Sequence, residues 1–425
     1  MLFARSFAQT IKRPAVAIAL TAALLCVIPT SASAADTEKV LASFSGSDGA
    51  TPQSGLIFDA HGNLYGTTET GGLANCQSLG SCGTVFRLSP GANGTWHKKV
   101  LHRFTGSDGE YPMARLVLDA AGNLYGTTSW GANNGCAIGT SIGCGAVFEL
   151  SPGANDTWTL KVLHRFIGAD GANPASSLVF DKSGNLYGTT NTGGTNNAGT
   201  VFRLRPAKNG AWGINVLHSF TGSDGIGPSG TLLLDSAGNL FGTTTTGGAS
   251  NTGTVFELSP SGATWNETVL YSFLSTGGTQ PTQGVVMDAS GNVYGTTSSS
   301  ADGCGCGTVF ELTPASGGGW TKTTLHTFNS TDGRAPLGLV LDKAGNLYGL
   351  TFVGGSANDG VVFELSPGSG GTWTETQLHN FSGADGAGPV GALIFDASGN
   401  LYGASAYGGA GNNKGTVFEV APAAD

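Results

Sequence analysis

Beyond residue 36, apolar positions fall in short runs broken by clusters of Gly, Asn, Asp, Ser and Pro. No long stretch repeats at the helical period, and this pattern predicts β-strands bounded by turns. A representative stretch starts at Leu116-Val117-Leu118-Asp119, which is continuously apolar up to the Asp. A turn (Ala120-Ala121-Gly122) leads into Asn123-Leu124-Tyr125-Gly126-Thr127-Thr128. After a Gly-rich loop comes Val147-Phe148-Glu149-Leu150-Ser151-Pro152. A second loop ends at Trp158, and the unit closes on Val162-Leu163-His164-Arg165-Phe166. We label these four strands A, B, C and D.

The same unit recurs along the chain. The Asn of the GNLYGTT-like string falls at 63, 123, 185, 239, 292, 346 and 400. Seven units of four strands predict an all-β, seven-bladed β-propeller of four-stranded blades. Strand A, the most continuously apolar, is placed innermost and expected to be buried on both sides. The phase of the repeat also predicts how the ring closes. The chain enters on Lys39-Val40-Leu41-Ala42-Ser43-Phe44, a D strand, and leaves on Val417-Phe418-Glu419-Val420, a C strand. The N-terminal strand should therefore pair into the last blade and remove an open edge. D–A and B–C connections share one rim, and A–B and C–D connections share the other.

Residues 1–34 read as a secretory signal peptide. Arg5, Lys12 and Arg13 precede an apolar run from Ala15 to Ile28, and Ala32-Ser33-Ala34 forms a cleavage site. Residues 35–425 are then one propeller domain, exported to the periplasm or beyond. The mature chain carries sixteen basic residues against 28 acidic ones. That balance argues against binding nucleic acid or an anionic membrane. Gly contributes 71 residues and charged types only 11% of the chain, which excludes coiled coils and charged disordered tails.

Several recurring residues invite chemical readings. The Asp-x-x-Gly-Asn turns (Asp59, Asp119, Asp181, Asp235, Asp288, Asp342, Asp396) are read as turn formers, not calcium loops. The Gly-x-Asp-Gly loops carry Asp48, Asp108, Asp170, Asp224, Asp332 and Asp385, with Gly277 in the fifth unit. Six such carboxylates around a channel mouth could attract a cation, but each is read as closing its own loop. His102, His164, His218, His326 and His379 share one position of strand D. Outer strands of different blades should lie too far apart to share a metal, and no His is expected on the D–A/B–C rim. No metal and no cofactor is expected. The Trp that opens strand D is read as a plug between blades.

Cys76 and Cys82, and Cys136 and Cys144, fall in shared B–C loops and are expected to form local disulfides that stiffen exposed loops. Cys304 and Cys306 are read as a tight disulfide, a redox pair or free thiols.

Specific function should lie where one unit departs from the others on a rim. On the D–A/B–C rim these departures are Glu69, Glu110, Tyr111, Arg115, Trp130, Arg334, Phe352 and Tyr407. Aromatics with a few charges suit a glycan or protein platform.

The unit Leu-His-x-Phe-x-Gly-x-Asp-Gly … Asp-x-x-Gly-Asn-Leu-Tyr-Gly-Thr-Thr … Gly-Thr-Val-Phe-x-Leu resembles the Gloeo–Verruco (GloVer) tandem repeat of exported bacterial proteins. The resemblance covers residues 40–421. It implies bacterial export and repeat architecture, and it supplies no catalytic residues. Many relatives end in a surface-sorting segment. Pro422-Ala423-Ala424-Asp425 does not resemble one, so no surface anchor is expected. The leading expectation is a secreted, monomeric, non-catalytic module binding an extracellular glycan or protein. The alternative is a polysaccharide-active lyase or hydrolase using Tyr111, Arg115 and Glu69 or Glu110. No catalytic constellation is identifiable. A third reading, a structural repeat protein, would be favoured by burial of Trp130 and Tyr407 between blades.

Overall fold

Each repeat lacks enough apolar surface to bury both of its own faces, so its strands must stack against neighbours. The computed structural model describes residues 37–422, apart from 75, 77–80, 133–134, 139–140 and 301–303. Residues 1–34, expected to be a signal peptide, lie outside the described residues. Seven antiparallel sheets form a seven-bladed β-propeller. Blade 1 runs outward from the axis as A (Ile57–Phe58), B (Leu64–Thr68), C (Thr84–Pro90) and D (Trp96–Arg103).

The seventh blade is assembled from both ends of the chain. Its A, B and C strands are Ala387–Phe395, Leu401–Tyr407 and Thr416–Ala421, and its D strand is Thr37–Ser43. Thr37 pairs with Ala421 and Ser43 with Thr416. The ring closes as the repeat phase requires.

Strand A differs from expectation. In blades 1, 2, 3 and 5 it pairs over two half-buried residues, and in blades 3 and 5 these include residues that face an axial channel. In blades 4 and 6 it is split into two short pieces. The chain leaves the ladder between those pieces, where small residues of neighbouring blades come into contact.

Blades are joined by repeated aromatic contacts. The Phe after each D strand meets the Phe of the next C strand edge-on, from Phe44–Phe86 at 5.0 Å to Phe381–Phe418 at 4.9 Å. These rings explain the Gly of the GNLYG string. A Cβ on Gly66 would stand 2.6 Å from Phe86 and 2.9 Å from Leu56. The Trp opening strand D does plug the blade junction. Trp158 meets Tyr65 at 6.1 Å, and Trp96 meets Tyr402 at 6.4 Å.

The Asp-x-x-Gly-Asn turns are structural. Asp59 accepts backbone N–H bonds from His61 and Asn63 on one oxygen. Its other oxygen accepts from the Asn63 amide and the Tyr65 hydroxyl. Each turn thus fixes the start of its own strand B.

Candidate functional site

The D–A segments line an axial channel of about 700 Å³. One layer of that wall is set by the residue two positions before the A-strand pair that faces the start of strand B, Ile57–Phe58 in blade 1 and Ile394–Phe395 in blade 7. These are Gly55, Arg115, Ser177, Thr231, Gly284, Gly338 and Ala392. Smallness is required here, because a Cβ on Gly338 would stand 2.8 Å from the Ala392 side chain. Arg115 is the single exception. Its backbone N–H donates to the Ser177 hydroxyl at 3.1 Å, while its side chain extends along the wall towards Gly55.

Among the described residues lining the channel, Arg115 carries the only charge. The channel is also lined by Ser54, Ser176, Ser229 and Gln283, all neutral hydrogen-bonding groups. Further along the wall come Phe180, Leu234 and Val340. Burial lowers the Arg115 pKa, with no carboxylate acting against it. A guanidinium remains charged under such conditions, so its fork of donors faces the channel unneutralised. The arrangement is complementary to one anionic group.

The other sequence candidates divide into separate groups. Glu69 is half-buried at the end of strand B in blade 1, where Gln53, a channel-lining residue, donates to it at 3.2 Å. Burial raises the Glu69 pKa. Glu110 is fully buried, and its backbone exchanges hydrogen bonds with Trp130 at 2.9 and 3.1 Å. Tyr111 is only 4% exposed and its hydroxyl finds no partner. Burial, then Glu110 and Glu69, raise its pKa. Its φ of +57° places a bulky residue in the left-handed region, a strained conformation.

Phe352 and Tyr407 form an edge-on pair at 6.5 Å two blades round the ring, between blades 6 and 7. Tyr407 is 43% exposed and Trp130 is half-buried. Arg334 is exposed and pairs through its backbone with Val353. The structure therefore groups Glu69, Glu110, Tyr111 and Trp130 at the blade 1–2 junction, and Phe352 with Tyr407 at another. Arg115 stands in the channel, apart from both carboxylates. The sequence could show that Arg115 was unusual; it could not show that the ring of small residues was the channel wall.

The histidines require a correction. His102, His164, His218 and His379 do reach the D–A/B–C rim, where Nε2 lies 2.8–2.9 Å from Asp108, Asp170, Asp224 and Asp385. The reason is that the position falls near the end of strand D, next to the loop that follows it. Those Asp residues also accept the backbone N–H that opens their own loop, as Asp108 does from Thr105 at 2.8 Å. They close loops at the outer edge of the rim and do not ring the channel mouth.

The cysteines form three disulfides, Cys76–Cys82, Cys136–Cys144 and Cys304–Cys306. Their role differs from stiffening exposed loops. Cys82, Cys144 and Cys306 are completely buried. Each offers its carbonyl to the next blade, accepting from Tyr111 at 3.1 Å, Asn173 at 3.0 Å and Ala335 at 2.8 Å. The blades without cysteine make the same link, as Ala198 does with Gly227 at 2.9 Å. The disulfides pin three of these inter-blade links from behind. No spacing rule exposes this, since the bond partner lies in the following repeat.

The chain matches the Gloeobacter/Verrucomicrobia repeat profile three times, over residues 30–210, 135–319 and 283–425, and it belongs to that family. No curated protein matches it by sequence. Among solved structures, it is similar to the extracellular domain of a one-component system from B. thetaiotaomicron, with a TM-score of 0.54 at 9% identity. That likeness covers 91% of this chain and 40% of the other, so the chain spans well under half of that protein. Weaker likenesses link it to a Thermus thermophilus protein described as a glucose dehydrogenase-type oxidoreductase and to a Dyadobacter fermentans protein of unknown function. The first has a TM-score of 0.42 at 14% identity, covering 91% of this chain and 100% of that one. The second has 0.45 at 10% identity, covering 90% and 96%. At these identities the likeness is one of fold.

Proposed function

We propose that this member of the Gloeobacter/Verrucomicrobia repeat family is an exported binding module. It takes the anionic group of an extracellular ligand into its axial channel, and an acidic glycan fits best. The observation that carries this reading is Arg115, a single uncompensated cation in a channel otherwise walled by neutral groups. A guanidinium pairs with a carboxylate or sulfate through two parallel hydrogen bonds. Gln283, which also lines the channel, adds a neutral donor and acceptor of the kind that reads hydroxyls. The half-buried Trp130 and exposed Tyr407 on the same rim supply apolar faces for the remainder of the ligand. Three disulfides fit an oxidising compartment.

The enzymatic alternative needs an acid–base pair within hydrogen-bond reach of a substrate atom. Glu110 and Tyr111 are enclosed, and Arg115 has neither carboxylate beside it. These facts favour binding over turnover. A glycan array combined with a polysaccharide-degradation screen tests the reading on the mature protein. Retention of acidic glycans that is lost in Arg115→Ala supports it. Retention unaffected by Arg115→Ala removes the channel as the site, and depolymerisation would replace binding with catalysis.

A further inference from the structure

A second ring of seven equivalent positions lies on the outer strands. It consists of the strand D residue opposite the last apolar residue of strand C. In chain order these are Glu38, Lys98, Leu160, Ile214, Glu267, Lys322 and Glu375. Several face the D–A loop that follows the preceding blade's strand D, and their chemistry follows what that loop offers. Asp48 has no His beside it, because Ala42 takes that place, and Lys98 pairs with it at 2.7 Å. The loop at Gly277 offers only a carbonyl, and Lys322 donates to it at 2.7 Å. Glu appears at three loops that carry both His and Asp.

At two of these junctions the ligand atoms converge. One nitrogen or oxygen from each of His218, Asp224 and Glu267 lies within 4.8 Å of the others. Glu38, His379 and Asp385 repeat the arrangement. In both, one Glu oxygen is buried without a hydrogen-bond partner, Oε1 of Glu267 and of Glu38. Two carboxylates placed this close repel unless one takes up a proton or a positive charge sits between them. Separate outer strands were expected to lie too far apart for this. The structure shows instead that strand D of one blade reaches the His–Asp pair of the blade before it.

We infer that His218–Asp224–Glu267 and Glu38–His379–Asp385 are two equivalent sites for a divalent transition-metal ion. One imidazole nitrogen and two carboxylate oxygens suit Zn²⁺ or Mn²⁺ better than the all-oxygen shell that Ca²⁺ prefers. Three protein ligands leave further positions to water. The metal replaces the proton shared between His Nε2 and Asp Oδ2, now 2.9 Å apart at both junctions. It also takes the orphaned Glu oxygen. Each ion would bind strands from two neighbouring blades and clamp the junction from outside.

The third His–Asp–Glu junction provides an internal control. There His326 lies 3.4 Å from Asp332, and the Asn329 amide donates to the Asp332 oxygen that a metal would need. That site should not bind.

The test is isothermal titration of the full mature chain, stripped with chelator, with Zn²⁺, Mn²⁺ and Ca²⁺ in turn. Two equivalents of Zn²⁺ or Mn²⁺ are expected, with weaker Ca²⁺ binding. Glu267→Gln and Glu38→Gln should each remove one equivalent, the double variant both, and Glu375→Gln none. Far-UV circular dichroism and a melting curve establish that each variant is folded. The inference fails if the folded chain shows no saturable binding, or if the stoichiometry survives the double variant. It also fails if Glu375→Gln costs an equivalent.

Discussion

Two rings of seven equivalent positions, one at the axis and one on the outer strands, vary in opposite ways. On the outer ring five of the seven residues answer a neighbour: Lys98 meets a bare Asp, Lys322 meets a carbonyl, and three Glu meet His–Asp loops, while Leu160 and Ile214 are apolar. On the inner ring six residues stay small, and Arg115 departs without a protein partner to answer it. Variation matched within the chain is explained by the chain. Variation matched by nothing within it points to a ligand. The same rule separates Asp48 and its relatives, which look functional and close their own loops, from Arg115.

Both rings depend on closure, so the largest effect comes from removing residues 37–45. This strips the outer strand of blade 7, exposes the edge of Thr416–Ala421 and empties the site of Phe44. The melting temperature should fall by at least about 5 °C. An unchanged melting curve would mean that the rings are not closed structures at all.

Arg115→Ala comes next and acts on the inner ring alone. Affinity for an anionic glycan should weaken roughly 10- to 100-fold, the loss of a charged hydrogen-bond pair. Because no internal partner is abandoned, the melting temperature should stay level. A drop in stability with unchanged affinity would place Arg115 in the scaffold and erase the contrast.

A smaller effect follows from pH. Burial, helped by Asp385, Asp224 and Asp332 respectively, raises Glu38, Glu267 and Glu375 to about 7 from an ordinary 4.5. Between those values the folded chain holds protons that the unfolded chain has released. The stability they contribute is complete below about 4.5 and is lost as pH rises through about 7. The stripped protein should therefore melt lower at pH 8 than at pH 6, by a margin that shrinks in the triple Glu→Gln variant. An equal margin in that variant would assign the dependence elsewhere.

The smallest stability change, with the clearest readout, is a graft. Ala42→His with Lys98→Glu rebuilds the His–Asp–Glu set around Asp48 at the blade 7–1 junction. One further equivalent of Zn²⁺ should bind. If none does, the match between ring and loop serves charge balance only.

The architecture was readable because each repeat writes its strands, turns and phase seven times. That redundancy fixed blade number and even the pairing of Thr37–Ser43 with the last blade. The departures were readable too, Arg115 among them. What could not be read was adjacency across repeats. Cys82 bonds to Tyr111, and Glu267 faces Asp224, over separations set by blade stacking and not by strand periodicity. Strand A misled because its apolar run suggested full burial, whereas its paired residues are half-buried and in blades 3 and 5 include residues that face the channel.

Closure also sets an order of events. The outer strand of blade 7 is the first described segment to be synthesised, and its partner, Thr416–Ala421, is almost the last. While the rest of the chain is being made, Thr37–Ser43 has nothing to pair with. It must wait as an unpaired edge while six blades collect behind it, the situation in which nascent β-proteins mispair. Its charged residues, Glu38 and Lys39, and its short length limit sticking during that wait. The propeller is thus finished in a single late step that joins its beginning to its end.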